Sequence, residues 1–209
     1  MTLPTGAALT TTTAMTTPSE AGGWPPEAGA RLTALARAAI ARRLGQAAVP
    51  EPAGPVPAWL QATKASFVTL KLNGTLRGCI GSLEACRPLR DDVRANAVAA
   101  GFRDPRFPSL STREYAAIAI EVSVLTDPAP FLVRDEADAA ARLRPGHDGV
   151  ILAAQGRRAT YLPQVWEDLP DPAAFLASLR RKAGLPAAYW GDDIRLWRYS
   201  VAVFGEAPR

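Results

Sequence analysis

A chain of 209 residues with 48% hydrophobic and 21% charged side chains can bury a core of its own without disulfide or metal staples. Two cysteines, Cys79 and Cys86, and a single histidine, His147, exclude a zinc cluster within one chain; neither metal nor cofactor is expected, and reduced thiols point to a cytoplasmic protein. The formal net charge of +4 is spread over scattered basic pairs rather than a stripe interleaved with aromatics, which argues against nucleic acid as a partner, and no apolar run reaches the roughly 20 residues of a membrane span.

Residues 1–24 are rich in Thr, Ala and Pro and read as a disordered tail lacking the charged and apolar regions of a secretory signal; residues 25–209 read as one domain. From Pro25 to Leu44, Leu32, Leu35, Ala36, Ala39, Ile40 and Leu44 recur at helical spacing, and Gly45 ends the helix. A proline-studded connection, Val49 to Pro57, leads to a strand, Phe67–Leu72. Asn73-Gly74 then makes a hairpin, so the next strand, Leu76 to Gly81, runs antiparallel to the first. If the loop is of the two-residue type, Val68 lies opposite Cys79 and Leu70 opposite Arg77, giving the thiol apolar neighbours; a longer loop would change that register. Pro88 opens a helix with Leu89, Val93, Asn96, Ala97 and Ala100 on its inner face, stopped by Gly101. Asp104-Pro105-Arg106-Phe107-Pro108 must be an irregular loop.

Ile118 to Leu125 alternates cleanly, with Ile118, Ile120, Val122 and Val124 on one face and Glu121 and Ser123 on the other. A helix over 135–143, a turn through Gly146-His147-Asp148-Gly149 and strands at 150–152 and 157–162 follow. Asp171-Pro172 starts a further helix that ends at Gly184, and one last strand, Ile194 to Phe204, closes a sheet.

Within the hairpin, Leu76-Arg77-Gly78-Cys79-Ile80-Gly81 places a thiol between two glycines, which strip side-chain cover from a strand and mark close approach to its backbone. Arg77, two residues before Cys79, shares its face in an extended chain and would favour the thiolate. The competing reading is a small buried hydrophobe, the commonest state of a free cysteine.

Taken together, Phe67-Val68-Thr69-Leu70, the Arg-Gly-Cys hexapeptide, Asp104-Pro105-Arg106-Phe107, Glu121-Val122-Ser123-Val124-Leu125, Asp148-Gly149, Leu162-Pro163-Gln164-Val165, Phe175-Leu176, Lys182-Ala183-Gly184-Leu185 and Val203-Phe204 resemble the AMMECR-type domain, known in bacteria and archaea as AmmeMemoRadiSam system protein A, over about residues 30 to 206. The resemblance implies an α+β fold: a mixed, largely antiparallel sheet with flanking helices, in two intimately joined subdomains with a cleft between them. It points to Arg77, Gly78, Cys79, Gly81, Asn96, Asp104, Arg106, Glu121, Ser123, Gln164 and Lys182, and to company with radical-SAM and Memo-like proteins. His147 falls one place before the motif Asp148, which weakens any Cys-His pairing.

The reading that follows is a cysteine-dependent enzyme or substrate-handling component. Cys79 is its nucleophile or transient carrier and Glu121 its proton-transfer group; Arg77, Arg106 or Lys182 hold an anionic part of the substrate. The alternative is a non-enzymatic module whose cleft holds a peptide, metabolite or partner loop, the glycines serving packing alone.

Overall fold

The computed structural model describes residues 23–47 and 54–206. The expected tail, up to residue 22, and part of the proline-studded connection lie outside them. The described chain forms helices α1 (Ala28–Arg43), α2 (Ala58–Gln61), α3 (Leu89–Phe102), α4 (Thr112–Tyr115), α5 (Glu136–Arg142) and α6 (Pro172–Lys182). Its strands are β1 (Ser66–Leu72), β2 (Thr75–Gly81), β3 (Ile118–Leu125), β4 (Ala129–Pro130), β5 (Gly149–Ala154), β6 (Arg157–Tyr161), β7 (Arg195–Tyr199) and β8 (Val201–Gly205). The α+β class holds, as two four-stranded antiparallel sheets ordered β2-β1-β3-β8 and β4-β7-β5-β6.

The first sheet lays Val68, Leu70, Ile120, Val122, Val124, Ala202 and Phe204 against Leu32, Ala36 and Ile40 of α1 and Leu89, Val93, Ala97 and Ala100 of α3. Each fully buried Val, Leu or Ile contributes on the order of 1.5–3 kcal/mol, and the strict alternation in β3 fixes which face goes in. Arg37, reaching from α1, binds Glu206 and the carbonyls of Tyr115 and Ile118, tying the helix to the end of the sheet. Gly101 does not stop α3; it remains helical, with Leu110 packed over it 3.7 Å from where a Cβ would stand.

The hairpin register is the first departure from expectation. Asn73 and Gly74 have φ of 52° and 79°, as a tight two-residue turn requires, and Leu72 faces Thr75 across it. Yet the register shifts between Leu70 and Lys71: Lys71 faces Leu76 while Leu70 faces Gly78, so Arg77 is an extra residue in β2. This β-bulge slides the pairing by one, and Thr69 rather than Val68 stands opposite Cys79. The thiol therefore lies on the face away from the helices.

The expected final strand is two. Around Ser200 the chain leaves the second sheet as β7 and enters the first as β8, while β3 leaves the first sheet at Leu125 and re-pairs with β7 as β4. Thr126 N donates to Ser200 O at 2.9 Å and Ser200 N donates to Thr126 Oγ1 at 2.9 Å, so the two crossings are latched at one point. Ala65, Leu125, Ile151 and Tyr199, with Phe67, Leu162, Trp197 and Val201, fill the space between the sheets. The other face of the second sheet packs Val150, Leu152 and Leu196 on Phe175, Leu176 and Leu179 of α6.

The two motif glycines have packing reasons. A Cβ on Gly78 would sit 2.2 Å from the carbonyl oxygen of Ala100 in α3, and one on Gly81 would sit 2.2 Å from the Phe67 ring that covers it from the paired strand. Gly78→Ala must push α3 off the sheet and is expected to cost on the order of 1–3 kcal/mol, whereas Gly205→Ala, with nothing within 4 Å, should be nearly neutral. Urea unfolding of the two variants measures the difference.

Candidate functional site

On the outer face of the first sheet, Cys79, Thr69 and Glu121 form one row across β2, β1 and β3. The Cys79 amide points away from β1, to Asp104, so Thr69 and Cys79 are a non-hydrogen-bonded cross-strand pair, the arrangement that brings side chains closest. Thr69 Oγ1 accordingly donates to Cys79 Sγ at 3.4 Å. Glu121 is one strand further, roughly 10 Å from Cys79 between backbones, and its Oε2 is held by Lys71 Nζ at 3.2 Å. Cys79 and Glu121 are both half-buried. Glu121 thus does not touch the sulfur; the Thr69 hydroxyl stands between them.

The outward edge of β2 is closed by the irregular loop. Cys79 N donates to Asp104 Oδ2 at 2.9 Å, and Arg106 Nη2 donates to Cys79 O at 3.3 Å, so a carboxylate and a guanidinium take the place of a neighbouring strand at this residue. Asp104 and Arg106 bind each other at 2.7 Å. That charge-assisted contact, with the Cys79 and Arg106 amides, holds the Asp104 carboxyl far below the usual carboxylate range, against the opposing effect of its burial. Arg106 is in turn held above its ordinary value by Asp104, and it is the cation bound to the Cys79 backbone.

Arg77, expected in that role, is placed elsewhere by the bulge. The residue is 7% exposed, and its guanidinium binds Glu114 at 2.8 Å and the Pro108 carbonyl at 2.9 Å, lying over the Phe107 ring. Glu114 is drawn down to about 2, first by Arg77 and then by Ser111, whose capping box at the start of α4 it completes.

The remaining candidates disperse. Asn96 is buried on the opposite side of the sheet, where its amide donates to Ser66 O and to Asp92 Oδ2, both at 2.9 Å, beside Ser82. Ser123 is 5% exposed because the second sheet covers that end of β3; it pairs with Phe67 and Val203. Lys182 donates to Thr160 O at 3.0 Å over the Tyr161 ring, closing the edge of β6, and Gln164 lies exposed on the short helical turn Pro163–Glu167. Two hollows of about 290 and 310 Å³ flank Thr126 and Asp127 where the sheets meet, and Cys79 lines neither. Thr69, Lys71 and Glu114 escaped the sequence reading. The Ser111-Thr112-Arg113-Glu114 capping signature foretells a helix start, but the Arg77 contact depends on a bulge that spacing does not reveal.

The AMMECR1 family model matches residues 33–204. A protein of Methanothermobacter thermautotrophicus is 36% identical over 180 residues, covering 85% of this chain and 94% of that one. One from Thermotoga maritima is 39% identical over 154 residues, covering 72% and 83%. The crystal structure of an uncharacterized protein, PH0010, from Pyrococcus horikoshii superimposes with a TM-score of 0.70 at 32% identity, covering 85% of this chain and 91% of that one.

Two outcomes test the electrostatics. Arg106→Ala, which takes away the guanidinium bound to the Cys79 carbonyl, should slow iodoacetamide alkylation of Cys79 several-fold and leave the exposed Cys86 unchanged, read by mass mapping over time. Glu114, with a folded value of about 2 against an ordinary 4.5, adds stability that is fully present above pH 4.5 and is lost as pH falls towards 2. Glu114→Gln should therefore be less stable at neutral pH and show a flatter fall in stability across that window, measured by urea unfolding at successive pH values.

Proposed function

Proceeding from the chain's membership of the AMMECR1 family, we propose that the outer face of the first sheet is a thiol-dependent site at which Cys79 carries a substrate group covalently. The observation behind this reading is the division of labour within the motif. Gly78 admits α3, Gly81 seats Phe67, and Arg77 is held by Glu114 and Pro108, which leaves the Cys79 side chain facing outward with the Thr69 hydroxyl on its sulfur. In this reading the thiolate attacks an electrophilic carbon such as an acyl carbon. A sulfur–carbon bond forms, the leaving group departs with its electron pair, and it takes up a proton. Thr69 and Arg106 stabilise negative charge on sulfur, while the Glu121–Lys71 pair binds a polar part of the substrate or moves its proton. Radical-SAM and Memo-like proteins are the proposed partners, on the strength of the family resemblance.

A second reading, a binding module, is favoured by Asn96, Asp104, Arg106 and Lys182, each of which is engaged by backbone or core groups. Cys79→Ser separates the two. The covalent reading expects an unchanged Tm, loss of pathway function in the host, and a mass adduct on Cys79 of the native protein that vanishes in the variant. Full function in Cys79→Ser, with no adduct on the native thiol, hands the site to the binding module.

A further inference from the structure

The outer surface of the helix layer differs in chemistry from the rest of the protein. Helices α1 and α3 lie side by side, and the groove between them, of about 520 Å³, is floored by Ala39, Ala95 and Val98 and rimmed by Arg42, Arg43, Arg94 and Arg103. Arg94 also borders a small neighbouring hollow, where Arg31 and Arg90 stand beside Leu35 and Leu60 and Gly54, Val56 and Pro57 of the connection close the wall. Six arginines thus border these two adjoining hollows, which share Arg94, with a single acid, Asp91, among them. The whole chain has 24 cations and 20 acids, so eighteen other cations face nineteen other acids, and these two hollows alone account for the net positive charge. Asp91 is engaged by Arg94 at 3.1 Å and lies 3.6 Å from Arg90; Asp92 beside it is wholly buried in the network around Ser66 and Asn96 and pairs with Arg87, which does not line the groove.

We propose that this groove docks an acidic amphipathic α-helix of a partner protein. A valley between two packed helices accepts the ridge of a third, and a floor of alanine and valine lets that helix approach closely and bury apolar side chains of its own. The rim asks for carboxylates on both flanks of that apolar stripe, since arginine forks bind them in pairs. From Asp91 to Arg103 the α3 side of the groove runs about 18 Å, three to four turns of a docked helix. A phosphodiester backbone fits less well: it offers nothing to the apolar floor, and among the described residues no aromatic ring lines either hollow for bases to stack on.

Fluorescence anisotropy on the full chain tests the proposal with four labelled probes. They are a helical peptide with an alanine and leucine stripe flanked by glutamates, a peptide of the same composition with its glutamates spread round all faces, an oligothymidine, and phosphatidylserine vesicles. The stripe peptide should bind saturably, at least about tenfold more tightly than the other three, and more weakly as salt rises. Arg43→Glu with Arg103→Glu should lose about tenfold, and so should Ala95→Trp, which fills the floor without altering charge, both at unchanged Tm. The proposal is overturned if the stripe peptide does not bind, if the spread peptide binds equally, if oligothymidine or vesicles bind more tightly, or if the folded variants bind as well as the native protein.

Discussion

One extra residue in β2 decides which face of the first sheet carries the thiol. In an unbroken ladder from the Asn73-Gly74 turn, Cys79 would stand opposite Val68 and point into the helix-covered core; the bulge at Arg77 turns it to the Thr69 face. A bulge persists only when its extra residue is held, and Arg77 is held firmly: buried, paired with Glu114, bonded to the Pro108 carbonyl and stacked on Phe107. The loop that supplies Pro108 and Phe107 also supplies Asp104 and Arg106, which close the free edge of β2 at Cys79. Register, edge closure and the polarity around the sulfur thus come from one segment of chain, and a change anywhere in it acts on all three.

The two sheets depend on each other through a continuous ribbon, β3 with β4 and β7 with β8, latched at Thr126 and Ser200. Because the ribbon belongs to both sheets, the packing of Phe67, Leu125 and Val201 against Ile151, Trp197 and Tyr199 couples them as one unit. The Tyr199 hydroxyl is pushed up to about 12 by burial there, with Thr160 opposing. This contact buries Ser123 and leaves the Cys79–Thr69–Glu121 row beyond its margin, half-covered. A site at the rim of such an interface has a rigid floor and an approach from one side.

The molecule therefore presents two chemically different faces. One carries a thiol, a hydroxyl and a mixed-charge pair on a sheet; the other, across the core, carries arginines on an alanine-rich helix layer. The core between them is continuous, from Leu32 and Leu89 through Leu70 and Val122, so both faces are set on one rigid block.

Much of the architecture is written locally. Helical spacing in α1 and α3, the alternation of β3, the Asn-Gly turn and the Asp171-Pro172 start each depend on neighbours within a few residues, so the α+β class and most of the longer elements are determined by sequence alone, whereas the short α2, α4 and β4 are not. The ordered motifs likewise determined the family. What tertiary structure decided is where those motif residues point. Arg77 left the thiol because a bulge, a feature of the pairing rather than of either strand, inserted itself at that position. Asn96 entered a core network because α3 presents that face to Ser66 and Asp92. One expected strand became two because Ser200 is where the ribbon crosses between sheets. Arginines separated by up to 72 positions in sequence, Arg31 and Arg103, came to border adjoining hollows because α1 and α3 pack side by side. Spacing along the chain fixes periodicity, and only the packing of one element on another fixes which distant charges meet.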